Sequence, residues 1–230
     1  MQRTRVNERM DDPYIDPRSH ALALAGLKRL NAWAGSDRLT WEAIAREARG
    51  CGGELHVMDI ACGAADGPMR MAARAAASGL RIRWTLVDAH AGSVDAARAA
   101  VAAAGAQAEV VQRDVVADGM PRDADVVTCS LFVHHLDRPD AVRLLASMRC
   151  AARRAVAVAD LERTRPGLAL AWTASRALSR SPVVWFDAPA SVRAAFTAAE
   201  AREMASEAGL RGASVRRAWP SRWVLEWRAA

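Results

Sequence analysis

The sequence predicts an α/β protein, a three-layer sandwich with a mostly parallel sheet between helices. Three observations carry this. Apolar runs a few residues long recur between Glu54 and Asp160. Alanine-rich helical stretches separate most of them, two ended by Gly79 and Gly105. Apolar strands joined by helices imply parallel strands buried on both faces.

Taken in order, the first residues are polar and include the turn-like DDPYIDP. An amphipathic helical region runs from about Ser19 to Arg49, with Leu22, Leu27, Leu30, Trp33 and Trp41 on its apolar positions. Gly50 to Gly53 break it. ELHVMDI (54–60) reads as a strand, 66–78 as a helix, RIRWTLVD (81–88) as a strand and 91–104 as a helix. AEVVQRD (108–114) and ADVVTCS (124–130) are two further strands. A helix begins near Asp137, with Pro139 tolerated in its first turn. AVAVAD (155–160) is the fifth strand. Residues 168–179 form an apolar helix, and SPVVWFDAPAS reads as a loop. TAAE (197–200) has capping-box spacing and opens a helix ending at Gly209. GASVRRA and RWVLEW, separated by Trp219-Pro220-Ser221, read as a closing hairpin-like pair. Residues 1–50 are expected to form an N-terminal helical lid, and 51–230 the main domain with an acceptor-side insertion at about 163–196.

Composition bounds the function. The 230 residues suit one domain with a small appendage, and the 52% hydrophobic content suffices for a full core. No apolar run reaches membrane-span length, and the N-terminal stretch has no apolar signal region. The four cysteines are scattered without CxxC or Cys/His ligand spacing, so they read as reduced thiols in a cytoplasmic protein. The net charge of +6 can mark a nucleic-acid surface. However, Lys28 is the single lysine and the arginines are spread along the whole chain, which argues against a selected patch.

Ligands of an open parallel sheet bind outside the carboxyl ends of its strands. Each parallel strand here has a polar residue there: Asp59, Asp88, Asp114, Ser130 to His135, and Asp160. In the first turn, ACGAADG, a GxGxxG pattern would fall on Ala61, Gly63 and Asp66. A pyrophosphate needs bare N–H groups at the helix N-terminus, and Asp66 would repel it. Asp66 is a helix cap or a partner for a cationic amino group. No P-loop motif occurs. Asp88 stands 21 positions after Gly67, near the spacing at which an acid meets ribose hydroxyls. It can also cap the next helix. The ligand implied is a nucleoside without phosphate that carries an amino acid or another cation. S-adenosylmethionine meets that description.

The ordered series VMDIACGAADG, TLVDAH, VVQRD, ADVVTCSLFVHHL and AVAVADLER runs from about Glu54 toward the C-terminus. It resembles the class I S-adenosylmethionine-dependent methyltransferases of the small-molecule type, related to ubiquinone/menaquinone and phenolic natural-product enzymes. The resemblance implies a Rossmann-like three-layer sandwich whose seven-stranded sheet ends in an antiparallel strand. It implies that Asp59, Ala61, Gly63 and Asp66 shape the turn around the methionine part of the cofactor. Asp88, beside Ala89, would bind the ribose. Asp114 with Val115 would flank the adenine, and Ser130 would line the site beside the sulfonium. Ala61 and Ala65 stand where the family usually has glycine, each adding one methyl group.

The acceptor is read by elimination. Residues after the fourth strand are SLFVHH, not an NPPY-like stretch, and no cysteine follows a proline. A small aromatic acceptor is therefore expected rather than nucleic acid, and the chemistry is expected to need no metal. His134 and His135 are candidate bases, since an imidazole suits proton removal near neutral pH, and His135 is the one favoured. Tyr14, Trp33 and Trp41, or Trp172, Trp185 and Phe186, are candidate acceptor walls. Arg163 and Arg165 would contact an acidic substituent or stay solvated. O-methylation of a phenolic or quinone-like metabolite in secondary metabolism is the expectation. C-methylation in quinone biosynthesis, RNA methylation and a cofactor-degenerate auxiliary subunit are the alternatives. Oligomeric state is left open, a homodimer being one option.

Overall fold

The computed structural model describes residues 1–12 and 14–229. Seven strands, β1 (Leu55–Ile60), β2 (Ile82–Asp88), β3 (Ala108–Gln112), β4 (Ala124–Ser130), β5 (Ala152–Leu161), β6 (Ser214–Ala218) and β7 (Arg222–Arg228), form one sheet. Their order is β3-β2-β1-β4-β5-β7-β6. The first five are parallel. β7 runs antiparallel to both β5 and β6, with Val158 opposite Leu225 and Val215 opposite the same residue. β1 lies between β2 and β4, so the chain leaves it for opposite halves of the sheet. A crevice at the carboxyl ends follows from that reversal.

Alternation along β1 divides the core. Leu55 and Val57 face a cluster with Ile44, Trp84 and Leu86, while Met58 and Ile60 face a larger one with Leu144, Met204 and Trp223. The first face is covered by α2 (Ser36–Gly50), α3 (Asp66–Ala77) and α4 (Ala91–Ala104), the second by α5 (Arg138–Ala151) and α8 (Ala198–Glu207). All six β1 residues are buried, as a strand covered on both faces requires.

Three helices pack on one another beside the strand ends: α1 (Pro17–Ala34), α6 (Arg165–Leu178) and α7 (Pro182–Ala194). α1 approaches the α6–α7 turn through Gly26. A Cβ there would stand 2.1 Å from Ser179 Oγ and 3.3 Å from a Val184 methyl. The helical region expected over 19–49 is two helices, parted where Gly35 takes φ +63°. The segment SPVVWFDAPAS, expected as a loop, is α7. Pro182 sits in its first turn, and burial of Val184, Ala190 and Val192 holds the helix despite Pro189 inside it. The capping box is as read: Glu200 N–H donates to Thr197 Oγ1, and Thr197 N–H donates to Glu200 Oε2 (2.7 Å).

The N-terminal residues lie across this end of the molecule. Thr4 N–H donates to Arg193 O, and the N–H groups of Arg9 and Met10 donate to the Asp187 carboxylate. The Arg3 guanidinium donates to the carbonyls of Ala194, His134 and Leu136 and stacks on Phe196. Arg163 neither reaches an acceptor wall nor stays solvated. It is buried, forks onto Glu200 (2.8 and 3.0 Å) and donates to the carbonyls of Ala195 and Met1.

Candidate active site

Two cavities meet at the carboxyl ends of β1, β4 and β5. The first, of about 250 Å³, is walled by the β1–α3 turn, α1, Ser36 and Ser130. The second, of about 170 Å³, is walled by α1, α6, α7, the β4–α5 loop and the β6–β7 turn. Leu27, Asn31 and Leu131 belong to both.

The backbone around them is held in an uncommon state. Ala61, Ala65, Leu131 and Ser221 are the non-glycine residues with left-handed φ among those described, at +52°, +61°, +56° and +44°. Ala61 and Leu131 line the first cavity, Leu131 and Ser221 the second, and Ala65 precedes Asp66 on the first. A left-handed L-residue costs roughly 1–2 kcal/mol, and such costs concentrate at functional sites. Gly63, at +55°, takes the same conformation without that cost.

The strand-end acids shape this turn. Asp59, 3% exposed, accepts from the Thr128 hydroxyl (2.6 Å). Burial pushes its carboxyl up to about 7, with Asp88 adding to the rise and the Thr128 hydrogen bond opposing it. Asp88 accepts from Gly63 N–H (2.8 Å) on one oxygen and from His90 N–H (3.0 Å) on the other. It thus ties the β1–α3 turn to the β2–α4 turn, where Ala89 is exposed. Each oxygen keeps a lone pair for a further donor. Asp114 is exposed and uses one oxygen to cap its own turn, accepting from Val116 and Ala117 N–H. Val115 is buried in the core. Asp66 opens α3 without capping it, and its carboxylate meets Lys28 (2.7 Å). The Ser130 hydroxyl is buried on the first cavity wall without a hydrogen-bond partner among the described residues. A ligand carrying a polar atom fits that wall.

In the second cavity the chemistry centres on His134. Its Nδ1 lies 2.7 Å from Asp160 Oδ1, and its own N–H donates to Asp160 Oδ2. Asp160 is buried and ionised, so the Nδ1 proton is fixed toward it and Nε2 is left as the acceptor. Burial works against a charged ring, but Asp160 and then Glu8 outweigh it, so the His134 pKa is raised. His135 behaves oppositely. Burial, together with its neighbour His134 at 4.2 Å between ring centroids, pulls it down to about 3. A ring so hard to protonate is a weak base, which shifts the preference from His135 to His134.

The aromatic walls differ from expectation. Trp33 alone of the six named rings lines the second cavity. Tyr14 is 93% exposed, Trp41 packs into the core, Trp172 carries Arg176 on its outer face, and Arg9 stacks on Phe186. The walls are instead aliphatic, with Leu30, Leu161, Leu170 and Val192 among them. Sequence reasoning missed Glu8, Asn31 and Arg222, and held Leu131 only within the stretch Ser130 to His135. Leu131 follows a strand end and carried that much signal. The others come from distant elements and carried none.

Residues 57–154 match the family model described as a methyltransferase domain. No curated protein matches the chain. Among solved structures, the chain is similar to magnesium protoporphyrin IX methyltransferase from Synechocystis PCC 6803 with bound S-adenosylhomocysteine, at 17% identity and TM-score 0.60, over 96% of this chain and 92% of that one. It is similar to the plantazolicin methyltransferase BpumL in complex with S-adenosylhomocysteine, at 10% identity and TM-score 0.69, over the same shares. A putative O-methyltransferase from Nostoc punctiforme PCC 73102 aligns at 19% identity and TM-score 0.63, over 99% of this chain and 64% of that one. Residues 57–154 thus match a methyltransferase-domain model, and the chain as a whole shares the fold of these solved methyltransferases.

Proposed function

We propose that the protein transfers a methyl group from S-adenosylmethionine to the hydroxyl oxygen of a small phenolic or quinone-like metabolite. The observation that carries this is the His134–Asp160 pair on a cavity of about 170 Å³ that adjoins the cofactor cavity. An engineered apolar cavity of roughly 150 Å³ holds benzene, so this one suits a single substituted ring. The neighbours act on acceptors as different as a porphyrin and plantazolicin, so the fold does not supply the acceptor.

S-adenosylmethionine supplies a methyl group activated by a sulfonium. The β1–α3 turn with Asp59, Ala61, Gly63 and Asp66 cradles its methionine part, and Ser130 offers a hydroxyl beside the reacting centre. Asp88 and Ala89 take the ribose side, and Asp114 with Val115 the adenine side. His134 Nε2 takes the acceptor's hydroxyl proton as the oxygen attacks, and Asp160 holds the resulting imidazolium. Leu30, Leu161 and Leu170 keep water from the ring. α1, with α6 and α7, forms the lid.

The test is product analysis with labelled cofactor and a panel of phenols and hydroquinones. Label on oxygen supports the reading; label on a ring carbon, or on RNA alone, overturns it. Transfer is proposed to need no metal. Glu8, His134 and His135 bring one ligand atom each within 4.8 Å of one another, so chelator treatment is the direct check. Full activity after dialysis against a chelator is the expected result, and loss restored by a divalent cation is the contrary one.

A further inference from the structure

Arg222 lines the second cavity and has no part in the methyl transfer proposed for it. Arg222 opens β7, opposite Leu161 of β5, and is 8% exposed. Its Nε donates to Ser36 Oγ (3.1 Å) and its Nη1 to Pro220 O (2.9 Å). Both partners are neutral. Nη2 has no protein acceptor among the described residues, and no ion pair among them includes this guanidinium. A buried arginine is ordinarily paired with a carboxylate, because desolvating a lone charge is costly.

The carboxylates that line this cavity, Glu8 and Asp187, and Asp160 behind His134 are engaged with other donors. Asp160 Oδ1 accepts from the His134 ring and Leu161 N–H, and Oδ2 from His134 N–H. Asp187 accepts from the N–H groups of Arg9 and Met10, and Glu8 accepts from the Ser191 hydroxyl. Asp160 still acts on Arg222 through space and keeps it charged, although burial lowers the guanidinium to about 10. Arg222 and His134 line the same cavity, flanking Asp160, so an anion on the arginine would lie beside the proposed base.

We propose that Arg222 is an anion subsite of the acceptor cavity, taking a carboxylate carried by the methyl acceptor through its Nη2 edge. The acceptor is then a small aromatic hydroxy acid; this identification rests on the phenolic reading, whereas the anion subsite does not. The guanidinium is pre-positioned by Ser36 and Pro220, and a charge-assisted hydrogen bond discriminates an anion from its neutral isostere by about tenfold or more.

The experiment titrates the protein, with S-adenosylhomocysteine present, with benzoate and with benzamide, its uncharged isostere. Benzoate is expected to bind at least about tenfold more tightly. Arg222→Met is expected to erase that difference, and Arg222→Lys to retain part of it. The wild-type comparison stands even where Arg222→Met fails to fold. Equal binding of the two probes, or a benzoate preference that survives in a folded Arg222→Met protein, overturns the proposal. So does weakened cofactor binding in Arg222→Met without any benzoate preference in the wild type, because the arginine then serves the cofactor. Benzoate preference without methylation of any phenol or hydroxybenzoate keeps the subsite and removes the phenolic reading. Methylated phenols without benzoate preference do the reverse.

Discussion

Ala61 and Ala65 share a left-handed backbone but not a surrounding. Ala61 is partly exposed, so Ala61→Gly relieves the backbone cost while losing little packing. It should raise stability by about 1 kcal/mol, read as a higher denaturant midpoint with an unchanged slope. Ala65 is fully buried, and removing its methyl forfeits about 0.8 kcal/mol, so Ala65→Gly should change the midpoint little. Asp59 makes a pH prediction. Its folded value, near 7, lies above the ordinary one, so the folded state holds the proton more tightly. The contribution is complete below about pH 4 and is lost as pH rises through 7. Wild type should therefore lose stability relative to Asp59→Asn across that window. For His134, the proposed base, the neutral ring is the active form, and its raised value puts the expected rise in kcat/KM above pH 6.5. In His134→Gln that rising limb should vanish; an unchanged pH profile would remove the base from the mechanism. Asp59, Asp88 and Ser130 were legible because each ends an apolar run, where a parallel sheet opens its crevice. Arg222 was not, because its meaning depends on a cavity assembled from α1, α6, α7 and the β4–α5 loop.

At the scale of elements, the strands were the legible part. The inner strands β1, β4 and β5 read as short apolar runs because both their faces are largely covered, while the edge strands β3 and β6 keep exposed positions. α7 was missed because Pro189 and the mixed polarity of the segment describe a loop locally, and only burial against α1 and α6 makes it a helix. The α1–α2 break was missed because amphipathic periodicity continues past Gly35. Arg163 joins three elements that the sequence keeps apart: the end of β5, the start of α8 and the N-terminal residues. Truncating it leaves Glu200 half-paired in a partly exposed place, so Arg163→Met should cost roughly 2–3 kcal/mol in a urea melt. Benzoate preference should survive that substitution if the arginine serves the fold.

For the whole molecule, cofactor and fold should be linked. At a cofactor concentration of 100 times Kd the folded state gains about 2.7 kcal/mol, which in a protein of this size raises Tm by roughly 5–11 °C. Asp88→Ala should abolish that rise, since it removes both the proposed ribose contact and the tie that holds Gly63. A variant that melts with the same cofactor-induced rise as wild type would separate Asp88 from the cofactor. Of the basic side chains behind the net charge of +6, Arg46, Arg154, Arg216 and Arg228 are each paired with a carboxylate.

The contact at Gly26 has a consequence for the breadth of substrates this scaffold can come to accept. One added carbon there meets Ser179 at a distance no real pair of atoms keeps, so Gly26→Ala has to push α1 away from the α6–α7 turn. Leu27, Leu30 and Asn31 ride on that helix and would move with it. The proposed catalytic and cofactor groups on the sheet would stay where they are. A single-base change in the gene could thus trade rigidity for a roomier chamber, and diversification toward bulkier substrates would begin at a residue that touches none of them.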